Sequence, residues 1–152
     1  MPTNLYGPGD NFDLNSSHVL PALLRKTHEA KMRGDKEITI WGTGTPRREF
    51  LHADDCADAL VFLMKNYSDE SHVNVGSEED ISILELAKLI CKIVGFEGIM
   101  KHDINKPDGT PRKLMSAQKL RSMGWSHSLQ LTSGIEETYK DFLQTAGINE
   151  LG

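Results

Sequence analysis

Cysteine is nearly absent from this 152-residue chain, and the two present, Cys56 and Cys91, share no CxxC spacing. Each falls inside a helical apolar pattern, so the pair reads as reduced, buried thiols rather than a disulfide framework or a metal knuckle. Long apolar runs are missing too. The longest, Ala59 to Met64, is far short of the roughly 20 residues that cross a bilayer, and no basic, apolar and small-residue leader opens the sequence. The expectation is a cytoplasmic protein. Cations are in the minority, with 17 Lys and Arg against 22 Asp and Glu and a formal charge of −5. That balance argues against a nucleic-acid or anionic-membrane surface but leaves room for a small anionic ligand, because a pocket needs only a few local cations. His28, His52, His72, His102 and His127 show no metal-ligand spacing, and no metal is expected. The glycine motifs of cofactor loops are lacking as well. Gly42-Thr43-Gly44 has no third glycine and no acidic strand end about 20 residues on, and neither a Walker loop nor a GxSxG elbow occurs.

What remains is the pattern of one ordinary α/β domain, 38% hydrophobic and 26% charged. Ser17 to Ala30 reads as a helix, with a serine cap, Pro21 in the first turn and Val19, Leu20, Leu23 and Leu24 along one side. Asp54 to Asn66 repeats the pattern through Ala57, Leu60, Val61 and Met64. Ser82-Ile-Leu-Glu85 is a capping box followed by Ile83, Leu86, Ile90 and Val94, with Gly95 as the stop. A short helix is expected over Ser116 to Met123. A second capping box, Ser133-Gly-Ile-Glu136, should open a helix through about Thr145. Strands are expected at Glu37 to Trp41, His72 to Val75, Gly98 to His102 and briefly around Phe50-Leu51. Strands alternating with helices predict a partly parallel sheet. The opening runs straight into the turn Gly7-Pro8-Gly9-Asp10 with no flexible lead-in, so Met1 is expected to correspond to an interior residue of a longer chain.

Two segments carry chemistry that no core pattern needs. Trp41-Gly-Thr-Gly-Thr-Pro-Arg-Arg-Glu-Phe50 and Lys106-Pro-Asp-Gly-Thr-Pro-Arg-Lys113 each join cations to Gly and Pro, which hold a loop in one shape. Arg offers a planar fork and Lys a compact charge, both suited to phosphate. An adjacent Trp offers a stacking face for a base or sugar. Read from composition alone, both could equally be solvated surface loops. His18, at the mouth of the first helix among Asn4, Asn11, Asn15, Ser16 and Ser17, could give and take a proton near neutral pH, or simply cap the helix.

Pro2-Thr-Asn-Leu-Tyr-Gly-Pro8 with Asp10-Asn-Phe12 resembles the stretch after the catalytic Tyr-x-x-x-Lys helix of extended short-chain dehydrogenase/reductases. Asn15-Ser-Ser-His18, Pro21-Ala-Leu-Leu-Arg25, Trp41-Gly-Thr-Gly-Thr-Pro46, Arg48-Glu-Phe-Leu-His52, Asp54-Asp55, Gly124-Trp125 and above all Lys106-Pro-Asp-Gly-Thr-Pro-Arg-Lys113 are similar to the GDP-L-fucose synthase family, over nearly the whole chain. The resemblance implies the carboxy-terminal part of a Rossmann-type reductase: residues 1–152 as the substrate-binding portion, comprising the last sheet strands and most of a small α/β domain, with the dinucleotide-binding portion outside them. It implies an NADPH-dependent enzyme that epimerises C3 and C5 of GDP-4-keto-6-deoxy-D-mannose and reduces C4, as a homodimer. By position, His18 is the implied acid/base residue and lies near the cofactor. Pro2, Thr3, Asn4 and Leu5 lie beside the nicotinamide. Asn4, Lys26, Trp41, Arg48, Asp108 and Lys113 contact the GDP-sugar. Lys26 stands where that family often has Arg, keeping the charge and losing the fork. The Tyr-x-x-x-Lys pair and partner cysteine of that family have no counterpart here, so residues 1–152 alone are expected to be inactive and to leave apolar faces exposed. Two alternatives stay open: another extended-family enzyme, such as a UDP-sugar 4-epimerase or a GDP-mannose dehydratase, and a non-catalytic nucleotide-sugar-binding module.

Overall fold

A computed structural model describes residues 1–149, with side chains described through residue 145. The architecture is mixed α/β, with parallel pairing in both of its sheets. In chain order the elements are β1 (Asn4–Tyr6), α1 (Val19–Arg33), β2 (Glu37–Trp41), β3 (Arg47–His52), α2 (Ala53–Asn66), β4 (Asp80–Ser82), α3 (Ile83–Val94), β5 (Ile99–Asp103), β6 (Arg112–Lys113), α4 (Gln118–Ser122) and α5 (Leu131–Asn149).

Strand β3 is the spine of the larger sheet. Its second half pairs in parallel with β1, Asn4 opposite Phe50 and Tyr6 opposite His52. Its first half pairs antiparallel with β4, Arg47 opposite Ser82, and parallel with β6, Arg48 opposite Lys113. The smaller sheet is β2 and β5 alone, in parallel. Six of the core side chains, Leu20, Leu24, Ile40, Leu86, Ile90 and Ile135, bring α1, α3 and α5 together over the sheets and are 2% exposed or less. A second cluster under α2 and α4 holds Leu51, Cys56, Ala59, Val75, Leu120 and Trp125.

Several expected boundaries move, each for a local reason. Helix α1 begins one residue late: His18 is its N-cap and makes no side-chain cap bond, so Ser17 is not the cap. The capping box at Ser82 is present as read, Ser82 Oγ accepting from Glu85 N at 3.1 Å and Glu85 Oε2 accepting from Ser82 N at 2.9 Å, and the helix stops at a left-handed Gly95. The box expected at Ser133 is absent. Helix α5 already starts at Leu131, and Gly134 N donates to Gln130 O within its first turn. Gly134 is there because a Cβ would come within 2.2 Å of the Tyr6 hydroxyl. Glycine there permits close packing of α5 on β1 rather than marking a helix start. Residues 72–75 form one bridge, Pro2 to Val75, instead of a strand.

Helix α2 carries the largest correction. The apolar stripe expected inside, Ala57, Leu60, Val61 and Met64, is outside, with Leu60 57% and Met64 77% exposed. Its buried side is Asp55, Cys56 and Ala59. Both cysteines are buried and free, and burial pushes both thiols above their usual range.

Candidate functional site

A cavity of about 300 Å³ opens between the first turn of α1, the end of β2, the start of β3 and residues 107–109. Trp41 stands at its wall because β2 ends there and its alternation turns Glu37, Thr39 and Trp41 outward while Ile38 and Ile40 fill the core. The chain then reverses at Gly42, whose φ of +70° suits glycine. A Cβ at that position would meet Asp108 Oδ1 at 2.2 Å. The approach is that close because Asp108 clasps the turn: its Oδ1 accepts from Thr43 N at 2.9 Å and its Oδ2 from Thr43 Oγ1 at 2.7 Å. The two cation-bearing loops of the sequence are thus joined directly. A second tie is Arg48, whose Nη1 donates to Thr110 O at 2.6 Å and to Arg47 O at 2.7 Å.

Lys26, Trp41, Arg48 and Asp108 therefore share one cavity wall. Asp108 has both oxygens engaged by Thr43, so here it holds a loop. Lys26 reaches over the Trp41 ring with Nζ 4.7 Å from the centroid, and Lys106 does so at 5.2 Å. Burial pulls the Lys26 ammonium below the ordinary lysine range. Among the described residues Lys26, Arg48 and Lys106 form no ion pair with a carboxylate. The Ser17 hydroxyl, also in the wall, is buried without a hydrogen-bond partner. An excess of unpaired cations, an aromatic face and an unsatisfied hydroxyl suit an anionic ligand with a flat ring.

The remaining expected residues lie around this cavity rather than in its wall. His18 is exposed at the N-cap of α1, between Ser17 and Val19, which do line it. Lys113 is exposed on β6, in register beside Arg48. Pro2, Thr3, Asn4 and Leu5 run into and along β1. Asn4 Nδ2 donates to Glu49 O at 2.7 Å and Thr3 Oγ1 to the same oxygen at 3.5 Å, while Leu5 is 38% exposed. Sequence reasoning missed Asp10, close enough to His18 to feel its charge: burial pushes its carboxyl up, while a hydrogen bond from Asn11 N and the nearby imidazole draw it back. It missed Lys106 as an individual residue, and it missed Glu49, which no motif logic singles out from the surrounding charged residues. No group of metal-ligating side chains is assembled among the described residues, and no described helix is long and apolar enough to cross a membrane.

Comparison with known proteins places this geometry in a family. Residues 1–76 match the NAD dependent epimerase/dehydratase family. The chain is 55% identical over 149 residues to a GDP-L-fucose synthase of Sinorhizobium fredii, covering 98% of this chain and 48% of the relative. It is 56% identical over 144 residues to GDP-L-fucose synthase 1 of Arabidopsis thaliana, covering 95% and 45%. The chain spans about half the length of the curated relatives it matches. Among solved structures, a GDP-L-fucose synthetase from Naegleria fowleri superposes with a TM-score of 0.89 at 33% identity, over 96% of this chain and 45% of that one. A GDP-6-OMe-4-keto-L-xylo-heptose reductase from C. jejuni superposes at 0.84 and 36%, over 95% and 53%. With a mixed α/β fold shared with these reductases and strong homology to GDP-L-fucose synthases over nearly all its length, the chain belongs to the NAD dependent epimerase/dehydratase family.

Proposed function

We propose that this chain is the substrate-recognising portion of a GDP-L-fucose synthase, a cytoplasmic, homodimeric enzyme that epimerises C3 and C5 of GDP-4-keto-6-deoxy-D-mannose and reduces C4 to give GDP-L-fucose. The observation that carries the reading is the cavity beside Trp41, where Lys26, Lys106 and Arg48 stand without acidic partners. A diphosphate supplies the missing counter-charge, and Trp41 supplies a face for the base or sugar. The sugar then extends toward the mouth of α1 and His18.

The C4 ketone acidifies the hydrogens on C3 and C5. One proton donor and acceptor can therefore invert both centres in turn through enolate-like states, and His18 is suited to that task by its imidazole, which can both give and take a proton, and by its exposure at the mouth of α1. NADPH, when bound, supplies the hydride that removes the ketone. On this chain the residues that would meet it are Pro2, Thr3, Asn4 and Leu5. They fit a contact surface: Pro2, Asn4 and Leu5 are exposed, and β1 is held in place through Asn4 and Thr3. The remainder of the cofactor site belongs to a portion of the enzyme outside these 152 residues.

A GDP-sugar C4 reductase without epimerase action is the second reading, favoured by the heptose reductase superposition. Turnover of the 4-keto sugar with NADPH in deuterated water, on the full-length protein, separates them. Deuterium at C3 and C5 of the product is expected, with His18→Ala slowing its incorporation by about 10²–10⁴-fold. Reduction with no deuterium at either carbon selects the second reading, and unchanged incorporation in the variant removes His18 from the chemistry.

A further inference from the structure

Glu49 is the one wholly buried carboxylate in the described core, at 0% exposure, and it has no cationic partner within ion-pair distance among the described residues. A buried carboxylate is costly unless hydrogen-bonded. Glu49 meets that demand with donors from two different segments. Its Oε1 accepts from Glu78 N at 2.8 Å and Ser77 Oγ at 3.5 Å, and its Oε2 accepts from Met115 N at 3.0 Å. Its main-chain oxygen takes the side chains of Asn4 and Thr3.

These contacts tie two of the stretches assigned to the site, residues 3–4 and the end of the second loop, to β3. Asn4 and Thr3 belong to the run expected beside the cofactor. Met115 lies two residues past Lys113. Arg48 is the preceding residue and faces the other side of the strand, into the cavity. From this arrangement we propose that Glu49 is a positioning residue, which fixes Lys113 and the end of the second loop relative to Arg48 so that both meet one nucleotide diphosphate. The inference rests on the GDP-sugar reading above.

The test uses the full-length protein with Glu49→Gln, which keeps the shape but turns one acceptor into a donor facing an N–H. Asp55→Asn is the matched control: Asp55 is also buried and also accepts from backbone amides, Ser128 N at 2.9 Å and Leu129 N at 3.0 Å, far along the chain from the cavity loops. GDP binding by calorimetry should weaken at least fivefold in Glu49→Gln and stay within twofold in Asp55→Asn, although both melt earlier. Amide hydrogen exchange should speed up at residues 113–115 and 76–78 in the first variant only. Equal GDP affinity in the two variants overturns the role in binding, because a merely structural carboxylate would behave like Asp55. Unchanged exchange at 113–115 overturns the positioning itself, and does so whether or not GDP binds. Wild-type protein that ignores GDP sinks the GDP-sugar reading, and with it the role in binding, leaving the exchange result to decide the positioning.

Discussion

At Gly76 the backbone runs so near Glu49 that an added Cβ would sit 2.3 Å from Oε1 and 3.0 Å from Cδ. The carboxylate cannot retreat, because both of its oxygens are already held. Gly76→Ala should therefore cost about 1–3 kcal/mol, the usual penalty for overpacking a filled core, read as a lower urea midpoint with an unchanged slope. Trp41 is the opposite case: at 59% exposure it contributes little to the core, so its removal should leave stability alone and act on binding. Trp41→Ala is expected to weaken GDP binding about tenfold, the scale of one base stacked on an aromatic ring, while Trp41→Phe keeps most of it. Equal affinity for wild type and Trp41→Ala, by calorimetry on the full-length protein, would show that the ring does not touch the nucleotide. These residues differ in how openly the sequence announces them. A Trp followed by Gly-Thr-Gly-Thr-Pro advertises a fixed loop with a ring, and the cations of residues 47–48 and 106–113 advertise an anion. Glu49 announces nothing, since its meaning lies in Met115 and Glu78, whose approach depends on tertiary structure. Asp108 was legible as a site residue by resemblance, yet its grip on Thr43 could be seen only once the two loops were in space.

Among elements, the helices were readable because three or four turns of apolar spacing outweigh any single residue, and Ser82 with Glu85 marks a start by hydrogen bonds internal to that segment. The strands β4 and β6 were not, since three and two residues hold no period and take their extended shape from β3. The start of α5 was misplaced because Ser133 and Glu136 have the spacing of a capping box, whereas the helix already runs from Leu131 and Gly134 sits in its first turn against Tyr6. What anchors that start is Asp55, on the first turn of α2, which accepts from Ser128 N, Ser128 Oγ and Leu129 N just ahead of α5. Burial pushes the Asp55 carboxyl up, but those three bonds outweigh it and hold it below the usual carboxylate range. A carboxylate depressed on folding stabilises the native state fully above its unfolded value, about 3.9. It loses that contribution as pH falls through the lower folded value. The stability gap between wild type and Asp55→Asn should thus be constant from neutral pH down to about 4 and narrow below it. A gap that stays constant on acidification would mean that the charge of Asp55 is not what holds α5.

Across the whole molecule, α2 is apolar on two faces. Cys56, Ala59 and Leu63 turn inward, and Ala57, Leu60, Val61 and Met64 turn to solvent. Periodicity alone could not choose between them, because Ala-Leu-Val-Phe-Leu-Met at 59–64 satisfies either stripe. A helix apolar all round is usually covered on both sides, and contiguous exposed apolar surface drives association. The spacing 57, 60, 61 and 64 makes this a continuous stripe one helix face wide, with Val61 45% exposed between its more open neighbours. The 152-residue chain by itself should consequently self-associate. Sedimentation velocity should show the mean mass rising with protein concentration. Leu60→Ser with Met64→Lys should shift it toward the monomer without lowering the melting temperature by more than a few degrees, since neither side chain touches the core. On the proposed reading of a longer protein, the same pair of changes in that protein should instead lower stability, because its further residues would cover that face. A chain that stays monomeric at all concentrations, with and without the two changes, would mean that the outer stripe of α2 is ordinary surface.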